Sequence, residues 1–565
     1  MSRPTPPTDA GELREALIEL RDQIRLIGFA DELPGAEEGR LAQADVLEQL
    51  TDFVLPRVGR TDAPLLVAVA GSTGAGKSTL VNSLVGEQVT TTGVRRPTSN
   101  SPVLACHPTD ADWFNEDVFL PTLPRVRQQG LAMPGKDGLL VLAANERMPK
   151  GVALLDTPDV DSVVASHHEF ASKFLDAADL WLFVTTSARY ADARVWEFLQ
   201  VARERNTSLA VVLSRVPPAD QDKLVTHFHA MLDANGLQDS DRFVIPETKE
   251  IANGRLLGKT ADPIKNYIIA LADDPARRDV VSSRTFLGVL DSFRTRIPAL
   301  AQQVEVQVAA ERALAEQVES AYATALAEVD EDTRSGSLLR GEVLARWQDV
   351  AASGEILRSL RVSRGRRREA GHPRRASGRV QALDQAIRDG LEALLVAGAE
   401  RAAEGVLERW RATPGGAALA ATPELERSHE GLRRRARNAV SAWQSKVLEL
   451  VTAEGLTKRS VAKFVSVDPE TLSLVCMVGL LGFGSGQSGE GGAGAAPQRL
   501  LRALFGAEAL RSIGDRARTD LRGRIGTVFE EEKLRFTQVI EGAGAPEESV
   551  AVQLYQATYT LEVTR

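Results

Sequence analysis

The sequence predicts a mostly parallel α/β domain followed by a long all-α domain. Three observations predict it. Five short apolar runs, "LLVAVA" (65–70), "VALLD" (152–156), "LWLFVTT" (180–186), "LAVVLS" (209–214) and "RFVIP" (242–246), are each bounded by Gly, Pro, Asp or Ser. Helical stretches lie between them, which is the pattern of a parallel sheet covered on both faces. After about residue 276 such runs stop, and apolar residues keep helical spacing instead.

The elements follow in chain order. Leu13, Leu17, Leu20, Ile24 and Ile27 step by four, three, four and three residues, one apolar stripe along a helix. Leu47, Leu50 and Val54 form a second short stripe, expected to stop near Pro56. Residues 1–60 are therefore expected to be a helical segment that packs on the later helices. Residues 61–275 are the α/β domain. Residues 276–565 are a stalk-like helical domain, with Val304, Val308, Ala315, Val318 and Tyr322 on one stripe and Ile525, Phe529, Phe536 and Ile540 on another. Coiled-coil-like packing is expected there. Two segments interrupt it, a basic loop at 358–380 and an apolar, Gly-rich tip at 472–497.

Totals exclude several classes. With 565 residues and 43% apolar content the chain can build two to four domains with full-sized cores. A formal net charge of −9 argues against a protein that coats nucleic acid. Cys106 and Cys476 are the only cysteines, too few and too far apart for a disulfide framework or a zinc site. That usage fits a reducing cytoplasm. The N-terminus "MSRPTPPTDAGEL" has no apolar core of a signal peptide. Leu472 to Phe483 is strongly apolar but too short to span a bilayer as one helix. Periodicity leaves two readings of it open, a shallow membrane paddle or a buried helix of the bundle.

The chemistry is concentrated in "GSTGAGKST". It fits GxxxxGK[ST] through Gly71, Gly76, Lys77 and Ser78, follows an apolar run and opens a helix. Glycines let backbone N–H groups of Gly71, Ser72, Thr73, Gly74, Ala75, Gly76 and Thr79 approach a phosphate chain, and the helix N-terminus adds positive potential. Lys77 is expected to reach the β- and γ-phosphates, and the Ser78 hydroxyl to hold Mg²⁺. "VALLDTPDVDS" ends an apolar strand on Asp156, where a second Mg²⁺ contact belongs. Between them, "TTTGVRRPTSNSP" (90–102) should supply a threonine that completes the metal shell and senses the γ-phosphate. Arg95 or Arg96 could stabilise transition-state charge there, or belong to a solvated face.

"DTP" resembles the third GTPase motif, DxxG, with Asp159 in place of the glycine. Val160 follows where Ras-type enzymes carry their water-orienting glutamine. "LSRVPP" stands where GTPases have NKxD: Ser214 for Asn, Arg215 for Lys and Pro217 for the Asp that reads guanine. The aliphatic part of Arg215 could pack on a base face. Without the guanine-reading Asp, discrimination of GTP from ATP lacks its usual physical basis. "VIPET" (244–248) is expected to supply the last nucleotide loop.

Together "GSTGAGKSTLVNSLVG", "GVRRPTS", "LLDTPDVDSV", "ADLWLFVTTSARYADARVWEFL" and "VVLSRVPP" resemble actinobacterial dynamin-like GTPases, whose Era-related G domain carries a long helical region. The motifs cover about 65–250, and the remainder is similar in architecture alone. Thr73 and Gly74 stand where dynamins have Gln and Ser. The resemblance implies a P-loop GTPase using GTP and Mg²⁺, with Lys77 and Thr98 catalytic and Ser78, Thr98 and Asp156 on the metal. Thr98 is chosen because "RRPT" resembles the dynamin switch; Ser99, Thr91 and Thr92 stay open. The resemblance also implies a nucleotide-dependent homo- or heterodimer, peripheral at the inner face of the cell membrane. Nine arginines between Arg358 and Arg379, against Glu369 alone, would attract anionic lipid. The alternative is an Era-like switch in ribosome assembly that binds RNA through the same arginines.

Overall fold

The computed structural model describes residues 10–59, 63–92, 102–115, 119–120, 123–128, 139–157, 174–204, 206–336, 341–353, 378–425, 431–457, 469–482, 501–502 and 505–564. Thr98 and Ser99, Arg95 and Arg96, Asp159 and Val160 lie outside these residues, as do most of the basic segment and the Gly-rich stretch after 482. The chain divides into two compact units. The first holds Met1–Gly28, Glu37–Glu305 and Pro546–Arg565; the second holds Phe29–Ala36 and Val306–Ala545.

The first unit is built on an eight-stranded sheet. Its strands are β1 (Leu65–Gly71), β2 (Val103–Cys106), β3 (Arg125–Gln128), β4 (Leu140–Ala144), β5 (Val152–Asp156), β6 (Leu180–Thr186), β7 (Ser208–Val216) and β8 (Asp241–Pro246). Their order is β3-β4-β2-β5-β1-β6-β7-β8, parallel except where β2 pairs antiparallel with β5. All five expected runs are strands. The sequence reading missed β2, β3 and β4, of which β2 and β3 have four residues each. A short antiparallel hairpin, β9 (Ile251–Ala252) and β10 (Arg255–Leu256), follows the sheet.

Strand β1 shows why the sheet is covered on both faces. Leu66, Ala68 and Ala70 enter one apolar cluster with Phe198 and Phe228, while Leu65, Val67 and Val69 enter another with Leu80, Val81 and Ile264. Side chains alternate in direction along a strand, so a run apolar at every position must bury both faces. Asp179, 1% exposed, ties this layer together. Its carboxylate accepts from Arg57 Nε at 2.7 Å, Arg57 Nη2 at 2.9 Å, the Leu66 N–H at 2.8 Å and the Ser282 hydroxyl at 3.1 Å.

The N-terminal stripe forms as expected: Leu13, Leu17, Leu20 and Ile24 are buried on a helix running Ala10–Arg25, and Ile27 is buried two residues beyond its end. Within the first unit this helix packs on the helix Glu548–Thr564. The second stripe differs. A π-helical turn at Leu50–Val54 adds a residue to the register, Val46 is buried where Leu47 is half-buried, and Pro56 sits inside the helical turn Leu55–Arg57 instead of ending it.

The second unit is all helical among its described residues, with helices Glu342–Ala352, Gly378–Ala412, Leu432–Thr457, Pro469–Gly482 and Ala507–Ala543 around one core. The later part of the helix Pro275–Ser335 also belongs to it. Ile525, Phe529, Phe536 and Ile540 are buried as expected. On Pro275–Ser335 the buried face runs through Leu314, Val318 and Tyr322, and Ala315 is exposed. The face also carries Gln307, fully buried, which a purely apolar pattern steps over. Its amide accepts from the Ala30 N–H at 2.9 Å and donates to Ala30 O at 2.9 Å. That pairing makes burial of the polar group tolerable.

The apolar run Leu472–Leu481 is a core element of this unit: Leu474, Val475, Cys476, Met477, Val478 and Leu481 are buried. Among the described residues no helix is long and apolar enough to cross a membrane. Gly398 marks a tight helix crossing, since a Cβ there would lie 2.7 Å from Val329 Cγ2 and 3.1 Å from Phe529 Cζ.

Both cysteine thiols are buried, and burial raises them from the ordinary 9.0 to about 12, with Asp110 adding to the effect at Cys106. Above pH 9 the unfolded chain loses these protons while the folded one keeps them. Their contribution to stability is therefore full below pH 9 and lost as pH rises toward 12. Native protein at pH 8 should leave both thiols unreacted with a disulfide reagent and release two equivalents on denaturation; rapid native labelling would contradict this burial.

Candidate functional site

Strand β1 ends at Gly71, and the helix Lys77–Val85 begins five residues after Ser72. The turn between them is set by glycine. Gly71 has φ +145°, and a Cβ there would stand 1.9 Å from Val184 O, because β1 pairs with β6 at that register. Gly74 and Gly76 adopt φ +76° and +95°. Such left-handed positions belong to glycine, and they shape the backbone concavity that binds anions. The turn closes by Ala75 N–H donating to Ser72 O at 3.1 Å, and the helix begins with Leu80 N–H donating to Gly76 O at 2.8 Å.

Lys77 is 5% exposed, and its ammonium donates to Gly71 O at 2.8 Å and Ser72 O at 3.3 Å. The cation thus sits inside the loop, where a triphosphate would meet it. Ser72 is buried, Thr73 and Gly74 are exposed, and Ser78 and Thr79 are half-buried. Asp156 closes β5, one strand away: β1 and β5 pair with Val69 opposite Asp156. Thr157 then fastens the end of β5, donating both its N–H (3.3 Å) and its hydroxyl (3.0 Å) to Val69 O.

Around Asp156 the structure adds residues that the sequence did not. The Thr90 hydroxyl donates to Asp156 Oδ2 at 2.9 Å, with Thr90 5% and Asp156 7% exposed. Thr91 and Thr92 are half-buried neighbours. Asn82, inside the phosphate-loop helix, holds the Thr90 backbone. A signal for Asn82 was available, since asparagine is disfavoured inside helices and needs a local reason to be there.

On the base side, Ser214 is 4% exposed, and its hydroxyl bridges to Ala75 O at 2.9 Å and Thr185 O at 3.0 Å. It fastens β7 to the phosphate loop. Arg215 is exposed, with φ +53°, and its carbonyl accepts from the Ser187 hydroxyl at 2.7 Å. The "VIPET" segment lies beside it, with Glu247 N–H donating to Val216 O at 2.8 Å. The predicted phosphate-loop residues, Asp156, Ser214 and Arg215 thus gather around the ends of β1, β5 and β7.

The donor set fits Mg²⁺. It is hard oxygen, the Ser78 hydroxyl and the Asp156 carboxylate, and Mg²⁺ in phosphate-handling sites is held by one or two protein carboxylates together with substrate phosphates. When bound, the ion would neutralise phosphate charge.

Residues 66–215 match the family model described as 50S ribosome-binding GTPase. A curated protein of Arabidopsis thaliana, described as a probable transmembrane GTPase, FZO-like and chloroplastic, is 23% identical over 210 residues. The match covers 37% of this chain and 20% of that protein's length. Among solved structures, a chain of an oligomerised bacterial dynamin pair, described as a mechanism for long-range sensing and tethering of membranes, aligns with TM-score 0.44 and 10% identity over 100% of this chain and 95% of its own. The bacterial dynamin GTPase LeoA from ETEC aligns with TM-score 0.24 and 13% identity, over 98% of this chain and 95% of its own. The organisation expected from the sequence, a mostly parallel α/β domain with a long helical region after it, is the organisation of this fold.

Proposed function

We propose that this GTPase works as a dynamin-like protein, binding GTP with Mg²⁺ and passing the state of its nucleotide to the helical region. The observation that carries the reading is the phosphate loop, with Lys77 held inside it and Asp156 on the neighbouring strand. In this reading the loop N–H groups and Lys77 bind the phosphates, and Ser78 and Asp156 hold the metal. Thr98 contacts the γ-phosphate and the metal, and Ser214 and Arg215 border the base. Catalysis is by positioning and charge stabilisation, with water as nucleophile. The dynamin-like reading extends to a nucleotide-dependent dimer and to the cytoplasmic face of a membrane. Lipid contact is assigned to the arginines between 358 and 379, because the apolar run after Leu472 is already committed to a core.

Two measurements test this. Fluorescent GTP and ATP should both be titrated with and without Mg²⁺; GTP is expected to bind more tightly and to need the metal. Equal affinity for ATP would refute the guanine assignment. Liposomes containing anionic lipid should pellet the protein more in one nucleotide state than in another. No pelleting in any state would sink the membrane role. Salt-sensitive co-sedimentation with ribosomal particles would instead support the less supported second reading, an Era-like switch in ribosome assembly that binds RNA.

A further inference from the structure

We propose that Asn82 is a positioning residue for magnesium, acting through Thr90 on the carboxylate of Asp156. The inference rests on the reading above in which Asp156 serves the metal.

Asn82 lies within the helix Lys77–Val85 and is fully buried. A buried primary amide is costly unless its two donors and its acceptor lone pairs are used. Here all four bonds are made. Oδ1 accepts from the Val89 N–H at 2.9 Å and the Thr90 N–H at 3.0 Å. Nδ2 donates to Thr90 O at 3.0 Å and to Gly254 O at 3.2 Å. One side chain therefore grips Thr90 by both its N–H and its carbonyl, which leaves the Thr90 backbone little freedom.

The consequence appears one bond further on. The fixed Thr90 places its hydroxyl on Asp156 Oδ2 at 2.9 Å. Thr90 is joined to the phosphate-loop helix through Asn82, so Asp156 is oriented by the element that carries Lys77 and Ser78. The β9–β10 hairpin braces the same point. Gly254 there has φ +67°, and a Cβ on it would stand 2.6 Å from Thr92 Oγ1. The Leu256 N–H donates to the Ser83 hydroxyl at 2.9 Å. A hydrogen-bond partner that orients a metal-binding carboxylate is typically worth about 10–100-fold in metal affinity.

The test uses the full chain loaded with fluorescent GDP, whose release rate is followed against free Mg²⁺. Binding of the same nucleotide is also measured in excess chelator. Thr90→Val keeps shape and removes the hydroxyl. It is expected to raise the Mg²⁺ midpoint about 10–100-fold, with GDP affinity in chelator unchanged. Thr90→Ser restores the donor and should return the midpoint toward wild type. Asn82→Ala should shift the midpoint in the same direction as Thr90→Val. If Asn82→Ala does not fold, the Thr90 pair decides alone. Asp156→Asn separates the two levels. If it moves the midpoint while Thr90→Val does not, or if Val and Ser variants shift it equally, the positioning role is wrong. If Asp156→Asn itself leaves the midpoint unmoved, the assignment of Asp156 to the metal fails, and the inference with it.

Discussion

Lys77→Ala is expected to lower GTP turnover by about two to three orders of magnitude, the loss seen when one preorganised charge donor is removed from an anionic transition state. The physical reason is the placement of this ammonium. It is buried in the loop and bonded to Gly71 O and Ser72 O, which on the proposed reading sets it in place for the phosphates. Arginine carries charge too, but its planar fork cannot occupy a pocket shaped by two loop carbonyls. Lys77→Arg should therefore be impaired nearly as much as Lys77→Ala. Steady-state phosphate release at saturating GTP checks both. Turnover within about threefold of wild type for Lys77→Ala would mean that the loop does not serve hydrolysis.

The largest stability effect is expected in the second unit, at Glu532. This carboxylate is 1% exposed, yet it accepts from Arg435 and, at 3.2 Å, pairs with Arg535, whose side chain is 9% exposed. Glu532→Gln keeps the shape and removes the charge. Breaking a buried pair from one side typically costs about 3–5 kcal/mol. Arg435 also reaches Glu531 at 2.9 Å, so the lower end, about 3 kcal/mol, is expected. For a unit of this size that corresponds to a fall of about 6–12 °C in the unfolding temperature. Calorimetry of the full chain measures it, and a shift under about 2 °C would show that the two guanidinium groups find other partners without cost.

How far the sequence was legible depends on how local each feature is. The phosphate loop was readable because glycine, lysine and hydroxyl act on neighbours a few residues away, and a strand and a helix flank them. Asp156 was readable because it ends a strand apolar at every position. Thr90 was not. Its partner Asp156 lies 66 residues away, and three adjacent threonines in "TTT" offer the same chemistry. Only the register that Asn82 imposes chooses among them. Ser214 was read as a position near the base, and its bonds to Ala75 O and Thr185 O add a duty that the sequence did not show, fastening β7 to the loop.

The helical region teaches the same lesson. Periodicity identified the helices but placed Ala315 on a buried stripe and passed over Gln307, because an apolar pattern cannot register a polar residue whose partners, Ala30 O and the Ala30 N–H, lie 277 positions earlier. The apolar run after Leu472 had two readings until its neighbours were known. By itself, then, the sequence determined the α/β-then-helical organisation and the phosphate loop, features governed by strand alternation, helical period and glycine conformation within short windows. The tertiary structure alone decided which threonine meets Asp156, what satisfies Asn82, Gln307 and Asp179, and that Leu474 to Leu481 face a core, because burial and hydrogen-bond partnership depend on which distant segments the fold brings together.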